Sequence, residues 1–226
     1  LNIYKNTGML SKFVKKLRDK GIIVSVFIDA EIDQIKAAAE IGVEVCEIHT
    51  GPYARVFHEK GRDVQSAEVS HELRKIALAG EEIIKNGMIG DIQHIDAAFS
   101  SSLTDLFQGI PLSESNNHTF QPHASTWSDP KKGGGYGWGQ LSHMFAGVLK
   151  ITHLEPEQVF CLSVPSPTNV DYTNAISMKF SNGATGSFSG SAFVPKNFGG
   201  TFYITVHGTL GVLYFCLLYT SPSPRD

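Results

Sequence analysis

The pattern of apolar residues changes character near residue 88, and this change limits the available folds more than any other feature of the chain. Before it, helix-like and strand-like segments alternate. MLSKFVKKLRDKG carries Leu10, Phe13, Val14 and Leu17 at helical spacing, with Gly21 as the stop signal. IIVSVFIDA follows as an unbroken apolar run, of the kind found in strands covered on both faces. DQIKAAAEIG reads as a short Ala-rich helix closed by Gly42, VEVCEIHTG as a second buried strand, and SAEVSHELRKIALAGEEIIKNG as a longer amphipathic helix. This alternation with short connections predicts a parallel α/β sheet, or part of a barrel, over residues 1–87.

From Met88 onward the order of elements is different. GDIQHIDAAFSSS reads as a strand, and a long polar loop, LSESNNHTFQPHASTWSDPKKGGG, follows it. One helix comes next, with Leu141, Met144, Phe145, Val148 and Leu149 on a single stripe. After it come strands alone: QVFCLSV, DYTNAISMKF, ATGSFSGSAF and TFYITVHG. Asn182-Gly183 between two alternating runs is a strong hairpin signal. Residues 88–215 therefore predict an α+β arrangement, an open antiparallel or mixed sheet with one main helix. Residues 216–226, ending SPSPRD, place Pro at alternate positions and suit neither a ladder nor a helix.

Bulk properties narrow the class of function. At 226 residues the chain can bury a core of one large domain or two smaller ones. It is 18% charged with a net charge of -3, so no basic surface suggests nucleic acid or an anionic membrane. No run is long enough to span a bilayer, and no secretory signal is evident. Cys46, Cys161 and Cys216 are scattered and odd in number, which fits a reduced, cytoplasmic setting. The chain begins on Leu1 rather than Met, which points to a start further upstream.

Two places carry candidate chemistry. In VEVCEIHTG the alternation puts Glu47 and His49 on one face, at the C-terminal end of a strand where barrel enzymes hold catalytic groups. A buried Glu there has its pKa raised and serves as acid or base; the alternative is an ordinary ion pair with Lys or Arg. Asp29 ends its own strand in the same way, but a short acidic residue ahead of EIDQIKAAA reads more simply as a helix N-cap. The second place is GGGYGWGQLSH. Its His143 points away from the apolar stripe, beside the small residues Gly139 and Gly147, either toward a ligand or toward solvent. His94, His118, His123 and His143 lack the helical spacing of a metal motif, so no metal is expected.

The first stretch, LRDKGIIVSVFIDAEIDQIKAAAEIGVEVCEIHTGPYA, resembles the middle of pyridoxine 5'-phosphate synthase, a barrel enzyme of vitamin B6 synthesis. The resemblance implies condensation of an amino-ketone phosphate with deoxyxylulose phosphate, and it gives Glu47 the role of the active-site carboxylate in E-I-H-T-G. A closed barrel of this type takes about 250 residues. The family's later A-G-H-G segment is replaced here by MIGDIQHIDA, so no synthase activity is expected of this chain alone.

The second stretch resembles the C-terminal domain of the Gfo/Idh/MocA oxidoreductases, through MIGDIQHIDAAFSS, TWSDPKKGGGYGWGQLSH, LEPEQVF and SNGATGSFSGS. The resemblance implies a domain that holds a sugar-like substrate and often forms the oligomer interface. His143 takes the place of the family's substrate-contacting His, while Gly139 stands where the family has an Asp. NAD or NADP is implied for such an enzyme, yet no G-x-G-x-x-G turn between strand and helix is present to hold it. CLLYTSPSPRD resembles translated sequencing adapter. Together these resemblances give the expectation of a chimera: a synthase fragment over 1–87, an oxidoreductase substrate or oligomerisation domain over 88–215, and a non-native tail over 216–226. Small phosphorylated or sugar-like substrates belong to the two parents, and a homo-oligomer through the C-terminal sheet is the expected partner.

Overall fold

A computed structural model describes residues 2–61, 66–110, 123, 125–196 and 198–218. His118, most of the polar loop before Ser125, and the tail beyond residue 218 lie outside the described residues. The chain adopts a mixed α/β fold with an eight-stranded mixed sheet. It divides into two compact units, 1–95 with 147–153 and 205–216, and 96–146 with 154–204 and 217–226.

In the first unit, α1 (Thr7–Arg18), β1 (Ser25–Asp29), α2 (Ile32–Ile41), β2 (Val45–His49), α3 (Gly51–Glu59) and α4 (Ala67–Lys85) follow in order. The expected helices and strands are there, and α3 is an addition. Its start, Gly51-Pro52, places proline in the first turn, where no N–H is needed. Strands β1 and β2 pair in parallel with Phe27 opposite Glu47 and Asp29 opposite His49. On the other side of β2 lies β8 (Val212–Leu218), also parallel, with Glu47 opposite Tyr214. Beyond β8 in the sheet come β7 (Thr201–Gly208) and then β3 (Ile92–Ser100), each divided between the two units.

The two strands expected to be covered on both faces are covered on one. Ile28 and Cys46 are buried toward the helices, whereas Phe27 and Glu47 are exposed. Among the described residues no element packs over that open face. The α1 stripe departs from expectation in the same sense: Val14 is buried and Phe13 is 65% exposed. A salt bridge sets the other end of the strand pair. Glu44 accepts the Val24 N–H at 3.0 Å and the Arg18 guanidinium at 2.7 Å.

The second unit carries β4 (Pro156–Pro165), β5 (Asp171–Phe180) and β6 (Thr185–Ser191). β4, β5 and β6 form the expected antiparallel meander. The turn between β5 and β6 holds Gly183 at φ 86, with the Ala184 N–H bonded to the Asn182 side chain. Short helices α5 (Thr104–Phe107) and α6 (Ser125–Ser128) precede a π-helical turn at Gly137–Leu141, which leads into α7 (Ser142–Thr152). Tyr136, Phe107, Phe180, Phe188, Leu141 and Met144 are fully buried and make a tight core. Phe188 meets Phe145 edge-on at 5.1 Å and Phe180 at 6.4 Å. No described helix is long and apolar enough to cross a membrane.

Candidate functional site

The open face of β1 and β2 collects its side chains by strand alternation, because residues two apart share a face. Ser25, Phe27 and Asp29 stand beside Glu47 and His49. Glu47 is exposed rather than buried; the Ser25 hydroxyl donates to its Oε1 at 3.3 Å, and it enters no described ion pair. Asp29 does not cap the next helix, whose N-cap is Glu31. Its carboxylate instead lies 2.8 Å from His49 Nδ1, because parallel pairing sets the two residues opposite each other. The His49 ring also packs against Phe27, with centroids 4.9 Å apart. A Cβ on Gly51 would come within 2.3 Å of His49 Nε2, so the residue that opens α3 leaves room for the imidazole. A cavity of about 350 Å³ opens here, lined by Asn2, Phe27, Ile28, Asp29, Gln34 and His49. A carboxylate that orients an imidazole is a proton-transfer pair in chemical terms. Sequence spacing missed this pair, since Asp29 and His49 lie on different strands and register alone joins them.

Beneath the exposed face, the thiol of Cys46 is pushed up to about 12, first by burial and then by the Glu47 charge. A thiol held protonated in this way is a packing group, not a nucleophile.

In the second unit the glycine run has a structural cause. Gly135 sits at φ 108, and a Cβ there would fall 2.1 Å from Asp171 Oδ1. Asp171, from β5, accepts the Gly137 N–H at 2.7 Å and the Asn174 amide at 2.6 Å. It thus satisfies a backbone donor at the start of the helical run. Ser163 extends the network by donating to Asn174 Oδ1 at 2.7 Å. Tyr136 beside it is pushed up to about 12 by burial, against a smaller lowering by Ser101, and its hydroxyl donates to the Phe99 carbonyl. His143 lies exposed on the first turn of α7. The Trp127 ring lies beside Gly139, where an added Cβ would meet it at 3.5 Å, in ordinary van der Waals contact. The sequence offers no acid near His143 on its own segment; Asp171 serves the glycine run instead, a partnership that only the fold reveals.

Comparison with known proteins divides the chain in a related way. The family model for pyridoxal phosphate biosynthesis protein PdxJ matches residues 1–94, and that for the GFO/IDH/MocA C-terminal domain matches residues 78–214. Pyridoxine 5'-phosphate synthase of Aromatoleum aromaticum is 54% identical over 88 residues, which is 39% of this chain and 35% of that protein. The Rhodopirellula baltica enzyme of the same name is 39% identical over 88 residues, 39% of this chain and 32% of that one. The chain spans about a third of the length of these curated relatives. Among solved structures, an oxidoreductase domain protein from Kribbella flavida aligns with TM-score 0.49 at 17% identity, over 85% of this chain and 49% of that one. Apo scyllo-inositol dehydrogenase from Lactobacillus casei aligns with TM-score 0.43 at 13% identity, over 92% of this chain and 53% of that one.

Proposed function

Because the chain belongs to the GFO/IDH/MocA C-terminal domain family over residues 78–214, we propose that it joins an oxidoreductase substrate domain to a piece of a pyridoxine 5'-phosphate synthase barrel. On this reading neither reaction turns over. The single observation that carries it is the overlap of the two family matches across residues 78–94, within and just after α4. An amphipathic helix followed by a strand serves both parents, so it is a place where two coding sequences can be joined without disturbing local structure.

In the synthase parent, Glu47 is the carboxylate that assists condensation of the two phosphorylated substrates, with the Asp29–His49 pair beside it on the same open face. In the oxidoreductase parent, His143 faces a sugar-like substrate, and NAD or NADP is held by a different domain. Strand β8 beside β2 supports the absence of synthase turnover, since it occupies the position a further barrel strand would take. The test is to sequence single long DNA molecules across the codons for residues 40–143. Independent molecules that carry the join would overturn the chimera. Primers that extend into two separate complete genes would support it.

A second reading rests on the outer face of the antiparallel meander. β4 is exposed along its whole length, and Phe160, Leu162 and Val164 share one of its faces. In register with them run Ser177, Ala175 and Thr173 on β5, then Ser187, Ser189 and Ser191 on β6. An apolar stripe beside a floor of small side chains suits close packing against a second copy of the same face, as an oligomerisation module without enzymatic activity. Sedimentation of the whole chain tests it: a dimer that Leu162→Asp converts to monomer supports self-association, and a monomer at all concentrations overturns it.

A further inference from the structure

His94 and His207 stand on neighbouring strands of the first unit, 113 positions apart in sequence. β3 carries one and β7 the other, and the two rings lie 5.8 Å apart between centroids, tilted by 42°. Both side chains are half-buried. Adjacent strands hold such a pair at fixed spacing, so little conformational freedom remains to be lost when a common ligand bridges them. Two imidazoles side by side on a rigid sheet are a donor set for borderline divalent transition ions, which favour nitrogen ligands.

We propose that His94 and His207 form a two-imidazole site for a divalent transition ion of the Cu²⁺, Ni²⁺ or Zn²⁺ class, with solvent completing the coordination. Among the described residues no group of three or more His, Cys, Asp or Glu side chains is arranged to hold a metal. The site is therefore a bidentate one, weaker than a structural zinc centre and open on the solvent side. Sequence inspection cannot find it, because His94 has no second histidine at helical or hairpin spacing.

The test uses the whole chain and Ni²⁺ or Cu²⁺ alone. Titration of Ni²⁺ should give one saturable equivalent per chain, bound more weakly than at a structural zinc centre. His94→Gln and His207→Gln should each weaken it by about tenfold or more, as loss of one of two ligands requires, while His71→Gln on α4 leaves it unchanged. Cu²⁺ electron paramagnetic resonance on the unaltered protein gives a readout that no substitution can disturb. Superhyperfine coupling to two imidazole nitrogens supports the site. Coupling to one nitrogen, or equal Ni²⁺ binding by all three variants, overturns it.

Discussion

Phe188 and Phe27 both sit in strands, and the two units treat them in opposite ways. Phe188 is 2% exposed on β6, boxed by Phe145 and Phe180, while Phe27 is 61% exposed on β1. The second unit closes over its apolar residues with the helical run that begins at Tyr136. The first unit covers one face of β1 and β2 with helices and leaves the other to solvent, along with Phe13 on α1. Apolar patterning states which residues prefer burial, but the burial itself requires a second layer that the local sequence does not supply. The first unit thus carries the pattern of a doubly covered strand pair without the second cover.

The largest test of this contrast is Phe188→Ala. Truncating a fully buried ring removes about 3–5 kcal/mol, and urea denaturation should register most of that as a lowered midpoint. A loss of less than about 1 kcal/mol, the range of peripheral sites, would mean that the second unit is no better packed than the first. Next comes Gly135→Ala, which forces a side chain into positive-φ backbone and against Asp171. Strain of this kind costs about 1–3 kcal/mol, and a variant as stable as the parent would show that the Asp171 network is not a constraint.

A smaller effect belongs to Glu44. The Val24 N–H, ahead of the Arg18 charge, holds its carboxyl below the usual range against a partial raising by burial. A carboxylate whose folded pKa is depressed adds stability above its unfolded pKa and loses it as pH falls through the folded value. Glu44→Gln should therefore lower stability by up to about 1 kcal/mol at neutral pH, the range of partly exposed ion pairs. The gap should close as acid protonates Glu44 in the parent, and a gap that persists unchanged in acid would remove the ion pair as its cause. The smallest effect is expected from Phe27→Thr. Thr retains strand propensity at an exposed site, so stability should shift by no more than about 0.5 kcal/mol while solubility rises. A large loss there would reveal a cover over the open face.

Much of the element order was legible from residues 7–208. Periodicity identified the helices and strands because it depends only on neighbours a few positions away, and Gly42 and Asn182-Gly183 marked their ends. The sites were less legible. Glu47 could be put on a strand end from its spacing, but its exposure could not be read, because exposure depends on what lies opposite. Asp29 looked like a cap and proved to be the partner of His49, since parallel register brings together residues 20 positions apart.

By itself, then, the sequence determined where helices and strands form and where one kind of organisation gives way to another near Met88. Backbone hydrogen bonding and side-chain alternation are local, and local order survives whatever the rest of the chain does. Only the tertiary structure decided that β8 pairs with β2, that Asp171 lies under the glycine run, and that His94 meets His207. Each of these joins segments far apart in the chain. A strand's edge offers the same N–H and C=O groups to any partner, so the choice of neighbour rests on global packing and not on the strand's own residues.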